Sequence, residues 1–430
     1  MDHPLHAFLA RHAAVRFVRF QWLDLSGILR ARIVTKSYTL QLIARHQFLS
    51  VATAMMLLPV SNPQVAKLPP TGCADLRPDW SSLRLCLFAP MHASVMCHFC
   101  MPALDDPFAL CPRSALDRVL SHAVSSANSL RLGLEVEFVV LPPDRDTSCH
   151  PDSITSNSAT SGLRSNSVLA ALEETVAMLE ESGVAVQDFH AEGPLQLEIA
   201  TGPLAPLEAV DALIYTQETV RSVFARHGLV ATMAPDAAPS AAKSGLHIHI
   251  SLGDADQEDS FLSGMLDNTL SIAALGLASM DSFVRVQDLM NATGAWVSWG
   301  LQHRDVPIRK VARGHWEIRC VDATANPYLV VALIIAAGLE GITSKRPLTM
   351  VGLSDFATNY PRPQLEEAGV KDKLPSTMNA AITIAHASPI VNATFGKALS
   401  EAYLSVKRVD LEAMHDMDSE TRRRLFSAVF

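Results

Sequence analysis

The stretch GLHIHISL, Gly245 to Leu252, decides how this chain folds. It sets His247 and His249 one residue apart, with Leu246, Ile248 and Ile250 between and around them. A period of two is that of a β-strand, so both imidazoles face one way and the aliphatic side chains the other. A strand this apolar ordinarily spends both faces on packing. Here one face carries imidazole instead, which predicts that it borders a polar site.

Three other stretches repeat the device. GLEVEFVV carries Glu135 and Glu137, LQLEIA carries Gln196 and Glu198, and HWEIRCVD carries Glu317 and Arg319. Each pair stands at i and i+2 with apolar residues between. Alone, Glu-x-Glu is an ordinary solvated face and His-x-His an ordinary core pair. Four such strands, each flanked by helical stretches, predict polar faces converging on one cleft. Carboxylates a few ångströms apart raise one another's pKa or require counter-charge. Divalent cations supply it, and carboxylates with one imidazole suit Mg²⁺ or Mn²⁺. WGLQHRDVPIRK adds Arg304 and Arg309. Cations beside clustered arginines fit a reaction that builds negative charge on a transferring phosphoryl group. The P-loop pattern GxxxxGK[ST] is absent from the sequence.

Outward from these strands, residues 15 to 35 alternate and break at Ser26-Gly27, which predicts a β-hairpin. Residues 81 to 100 alternate again. Pro102 to Pro112 reads as a boundary, and a helix is predicted from Ser114 to about Ser125. Residues 142 to 166 are polar and Ser-rich, a long surface loop. Helices are predicted at 167–183, 206–227, 263–280, 327–342, 378–386 and 390–410. Asn326 and Pro327 supply an N-cap and a first-turn proline for the apolar run Tyr328 to Leu339. The order is a small β-rich part, strands alternating with helices, and a helical tail.

At 430 residues and 49% hydrophobic, the chain can bury a large core across two or three domains. Only 18% charged residues argues against long disordered tracts, and a net charge of −9 against nucleic acid as partner. The longest apolar run is too short to span a bilayer. Cys97 and Cys100 form the one close cysteine pair, with no second pair to complete a zinc site. Scattered cysteines and an N-terminus without an apolar signal region predict reduced thiols and a cytoplasmic protein.

The motifs, in this order, resemble the glutamine synthetase family. LDLSGILRARIV (23–34) is similar to its F-x-D-x-x-G-x-x-R segment, CPRSALDRVL (111–120) to its Cys-Pro-Arg helix, and GLEVEF, LQLEI, SGLHIHISL and EIRCVDATANPYLVVALIIAAGLEGI (317–342) to the catalytic strands and core helix. The resemblance covers nearly the whole chain. It implies an α+β fold, with a β-grasp-like domain at 1–103 and a catalytic domain with an antiparallel half-barrel and surrounding helices at 104–430. It implies a ligase that activates a carboxylate with ATP as an acyl phosphate, which an amine attacks. The expected cofactors are ATP and two or three Mg²⁺ or Mn²⁺ ions. The expected assembly is a homo-oligomer of stacked rings with active sites between subunits.

By this resemblance, Glu137, Glu192 and Glu198 hold one metal, and Glu135, His247 and Glu317 the other. Arg304 and Arg309 stabilise the transferring phosphate, and Arg309, His249 and Ser251 border the nucleotide. Arg285, Arg319 and Gly245 border the acid substrate. Five departures stand out. HAEGPLQLEI is one residue short, so that the family's glutamate falls on Ala191 unless the loop has lost a residue and Glu192 takes its place; Leu195 replaces a glycine there. The Asn-Gly pair that holds the substrate's amino end is Ala242-Lys243, with Lys243 read as a solvated loop lysine. A lysine is replaced by Asp236. The ammonium-deprotonating aspartate appears as Leu49, and the flap carboxylate as Asn291. The last two serve ammonia chemistry, so the expected nucleophile is an amine other than free ammonia. The alternative is an inactive member with a structural or regulatory role.

Overall fold

The computed structural model describes residues 3–61, 71–122, 130–143, 158–163, 166–290 and 292–430. Two sheets organise them. The first contains β1 (Phe17–Leu23), β2 (Leu29–Thr35), β3 (Leu49–Ala52), β4 (Cys73–Pro78), β5 (Arg84–Cys86) and β6 (His92–Cys100), in the order β2-β1-β6-β4-β3, with β5 also on β6. β1 and β2 form the predicted hairpin, and β1 runs parallel to β6. The hairpin turns at Gly27, whose φ of +84° favours glycine; a Cβ there would lie 2.8 Å from the Ala325 carbonyl oxygen.

The second sheet contains β7 (Arg131–Leu141), β8 (Val186–Gly193), β9 (Gln196–Thr201), β10 (Val230–Thr232), β11 (Leu246–Ser251), β12 (Trp299–Leu301), β13 (Ile308–Ala312) and β14 (His315–Ile318). Its order is β12-β13-β14-β11-β7-β9-β8, with β10 on β7. All of its pairs are antiparallel except β12 with β13. It is the half-barrel of the expected α+β fold. Ile248, Ile250, Phe138, Leu197, Trp316 and Ile318 are buried on its convex side. There Phe138 meets Phe224 edge-on at 5.3 Å, and Trp316 stacks on Phe261 at 5.3 Å. These contacts seat the helices Pro206–Arg226 and Glu258–Asp267 on the sheet.

The helix Pro327–Thr343 is the central one. Asn326 caps it by accepting from the Leu329 N–H, and donates its amide N–H to the Asp24 carbonyl at 2.8 Å. The cap thereby ties the core helix to the N-terminal hairpin. Arg113, buried in the helix Pro112–His122, donates to Asp79, at the end of the first sheet, and to Asp211, which also accepts from the Tyr328 hydroxyl. These bonds join the two halves of the chain.

Some expectations need correction. The helix expected at 263–280 is two, Glu258–Asp267 and Thr269–Gly276, followed by a 3₁₀ segment Met280–Arg285. The helix expected from Ser114 begins at Pro112. The helix expected at 390–410 runs Pro389–Met414, interrupted at Gly396. Most of the loop at 142–166 lies outside the described residues, as does Asn291; its last part holds a 3₁₀ turn, Thr160–Leu163. Helices Pro4–Arg11, Lys36–Ala44 and Ser419–Val429 were not anticipated. No helix among the described residues is long and apolar enough to cross a membrane.

Candidate functional site

Strand register brings the polar faces together. Glu198 on β9 stands opposite Glu137 on β7, Glu135 opposite His247 on β11, His249 opposite Glu317 on β14, and Glu317 opposite Arg309 on β13. The result is one continuous row across five adjoining strands. Glu137, Glu198, His247 and Glu317 are buried in it.

His247 is the hub. Its Nδ1 lies 2.9 Å from Glu135 and 3.2 Å from Glu317, and its Nε2 3.5 Å from Glu137. His249 donates from Nε2 to the other Glu135 oxygen at 2.8 Å, and its Nδ1 meets His315 Nε2 at 2.9 Å. Glu137 is fixed from the opposite side by the Gly245 N–H at 2.7 Å and the Gln196 amide at 2.9 Å. A Cβ on Gly245 would lie 2.4 Å from Arg285 Nη2 and 2.9 Å from His247 Nε2, so a larger residue there would displace both side chains.

The electrostatics are those of a site with excess anion. Burial would push the Glu135 carboxyl up, but the two imidazoles hold it far below the carboxylate range. Burial likewise works on Glu317 and is outweighed by His247 and Arg319. Glu198 has no such relief. Burial, together with Glu135 and Glu137, pushes it up to about 10. It makes no hydrogen bond or ion pair among the described residues. An orphan buried carboxylate beside two others and an imidazole is a donor set that a divalent cation fits. Glu135, Glu198 and His247 offer ligand atoms within 4.8 Å of one another, as do Glu135, His249 and Glu317, and Asp188, His190 and Glu198.

Arginines close one end of the row. Arg309 donates to Glu317 at 2.8 Å and to Gln302 at 2.6 Å, and Arg319 pairs with the other Glu317 oxygen. Arg285, 2% exposed, donates to the Val321 and Arg319 carbonyls, and burial pushes its guanidinium below the usual arginine range. The Nε groups of Arg285 and Arg309 are buried and donate to no described protein atom. Arg304 is exposed on the β12–β13 turn and does not join Glu317. Ser251 ends β11 opposite His315, beyond the carboxylates.

Other expected residues find different surroundings. Glu192 accepts from His190 Nε2 at 2.9 Å and joins no group of three ligand atoms among the described residues. Lys243 is not a solvated lysine. It is 25% exposed and pairs with buried Asp236, which also accepts from Arg423 at 3.0 Å. The lysine at 243 thus neutralises the aspartate at 236. Asp188, His190 and His315 went unremarked in the sequence. Their signal was there: D-F-H and H-W-E have the same i, i+2 spacing as the strands that were read.

Known proteins resemble the chain along its length. The family description "Glutamine synthetase, catalytic domain" matches residues 109–425. Protein fluG of Emericella nidulans is 30% identical over 427 residues, which are 98% of this chain and 49% of that protein, so the chain spans about half its length. The gamma-glutamylpolyamine synthetase GlnA3 of Streptomyces coelicolor is 27% identical over 73% of this chain and 72% of its own. A glutamine synthetase of Rhizobium leguminosarum is 27% identical over 96% of each. The solved structure "GmaS/ADP complex" superposes with a TM-score of 0.83 at 22% identity, over 97% of this chain and 98% of the other, a likeness of fold.

Proposed function

The chain belongs to the glutamine synthetase family, and on that premise we propose that it is an ATP-dependent carboxylate–amine ligase. It forms an amide through an acyl phosphate, with an amine other than free ammonia. The observation that carries this reading is the row Glu198, Glu137, Glu135, His247 and Glu317, ended by Arg309 and Arg319. That shell is retained where the groups expected to handle ammonium are not. Leu49 lines a hollow of about 190 Å³ with Phe20, Phe48, Leu76, Trp80, His3 and His46, and no acidic residue among the described residues borders it. Without carboxylates there is nothing at that hollow to attract ammonium. GlnA3, named for a polyamine product, supports an amine larger than ammonia.

In this reading Glu135, His247 and Glu317 would hold one ion, and Glu137 and Glu198 would hold another, with Glu192 nearby behind His190. When bound, such ions neutralise charge on the phosphates and the transferring group. Arg309 and Arg304 would take the oxygens of that group. The free Nε of Arg309 is a donor kept for such an oxygen. Arg285 and Arg319 grip the acid's carboxylate above Gly245, and His249 and Ser251 border the nucleotide. The amine attacks the activated carbonyl, and phosphate leaves.

The proposal extends to a division into 1–103 and 104–430, and to a homo-oligomer of stacked rings with sites between subunits. Exposed Ile33 on the edge strand β2 and exposed Tyr38 beside it support such burial of one copy against another. The test is phosphate release from ATP with Mg²⁺ or Mn²⁺, comparing glutamate plus ammonia with a panel of acids and primary amines. Release only with a larger amine is expected. No release from folded, assembled protein overturns the ligase reading in favour of a structural or regulatory role.

A further inference from the structure

β8 is the edge strand beside β9, and its sequence VQDFHAEG puts Asp188 and His190 on one face. His190 is the cross-strand partner of Glu198. Ligand atoms of Asp188, His190 and Glu198 lie within 4.8 Å of one another. Glu198 is 6% exposed and receives no hydrogen bond among the described residues. A largely buried carboxylate with no protein donor is a ligand atom left available to a cation.

The imidazole makes the same point. Its Nε2 is 2.9 Å from Glu192 Oε2 and its Nδ1 is 3.2 Å from Asp188 Oδ1. With Nε2–H donated to Glu192, the closer carboxylate, Nδ1 and Asp188 Oδ1 face each other across a gap that a proton or a cation can fill, and a cation there gains both as ligands. Metal-bound histidines ordinarily pass their other N–H to a carboxylate, which fixes the ring.

We infer that Asp188, His190 and Glu198 hold a divalent transition ion, and that Glu192 is a positioning residue which receives the Nε2 proton rather than a ligand. The local fold gives the reason. A bulge at Ala191–Gly193 breaks the β8–β9 register at Glu192, while His190 keeps its place opposite Glu198. Two carboxylates and an imidazole, the same donor set as Glu135, His247 and Glu317, take Mg²⁺ or Mn²⁺, and the nitrogen donor favours Mn²⁺ of the two. The inference rests on reading Glu198 as a metal carboxylate, not on ligase activity.

The experiment is metal titration of the metal-free full-length chain without ATP or substrates. Mn²⁺ stoichiometry is read by electron paramagnetic resonance, and Co²⁺ coordination by visible absorption. Expected is that His190→Gln and Asp188→Asn each lose one Mn²⁺ or bind it at least about tenfold more weakly, and that Glu192→Gln keeps the full stoichiometry with a loss of about tenfold in affinity. Glu317→Gln should lose a different ion and keep this one. The Asp188 side chain is 66% exposed, so Asp188→Asn folds and decides the matter if His190→Gln does not. Wild-type binding in both variants overturns the inference. So does loss of the ion in Glu192→Gln with retention in His190→Gln, which would make Glu192 the ligand. Mg²⁺ displacing Mn²⁺ from this position at equal concentration overturns the ion class. None of these readings depends on phosphate release, so the two proposals fail separately.

Discussion

Asp236 and Lys243 are two departures from the family pattern that answer each other. The aspartate is 6% exposed at its side chain and takes both the Lys243 ammonium and the Arg423 guanidinium. A lysine at 236 would meet those cations with nothing between them. Removing Asp236 leaves two cations facing each other, whereas removing Lys243 leaves Asp236 with Arg423 alone, so the aspartate substitution should cost the more of the two. In a double-mutant cycle of Asp236→Ala and Lys243→Ala, urea unfolding should give a coupling of about 1–2 kcal/mol. A coupling near zero would mean that the lysine is solvated in solution. Leu195 makes another exchange. It holds φ at +60°, where a glycine is easy and a leucine costs of order 1 kcal/mol. Its side chain is 4% exposed and packs with Val139, Ala241 and Phe426, which returns about 2 kcal/mol.

At the scale of elements, the helices Glu258–Asp267 and Pro327–Thr343 approach backbone to backbone. A Cβ on Gly341 would lie 2.1 Å from the Ser260 carbonyl oxygen and 2.8 Å from Gly264 Cα. No flexible side chain stands there to yield. The pair holds Phe261 against Trp316, one strand residue from Glu317. Gly341→Ala should therefore destabilise the chain by about 1–3 kcal/mol, and it should shift the β14 edge of the site. Thermal unfolding with near-ultraviolet dichroism of the tryptophans measures both. An alanine variant with wild-type stability and dichroism would show that the helices slide apart at no cost.

Across the whole molecule, Asp24 joins the first sheet to the core helix and is fully buried. Burial pushes its carboxyl up to about 6 from 3.8, although Arg30 pulls the other way. The folded chain therefore binds this proton more tightly than the unfolded chain. Its contribution is present below about pH 4, where both states are protonated, and is lost as pH rises to about 6. A shift of roughly two units is worth about 3 kcal/mol. Urea midpoints at pH 4, 5 and 6 should fall less steeply in Asp24→Asn than in the wild type, even though asparagine weakens the bond to Arg30. Parallel profiles would remove Asp24 as the source.

The sequence by itself determined the period-two strands, the Asn326 cap with Pro327 behind it, and the facing of Glu135, Glu137, Glu198, His247 and Glu317. These are local matters, since alternation and capping are set by residues a few positions apart. Only the tertiary structure decided which residue stands opposite which. The bulge in β8 gave His190 the place across from Glu198 and moved Glu192 behind it. The C-terminal helix brought Arg423 to Asp236 from 187 residues away. The split at Asn268 between two helices was equally invisible, because an apolar run long enough for one helix reads the same whether or not the core bends it. Strand register and ion pairs between distant segments are fixed by packing over the whole chain, and no window of sequence contains that information.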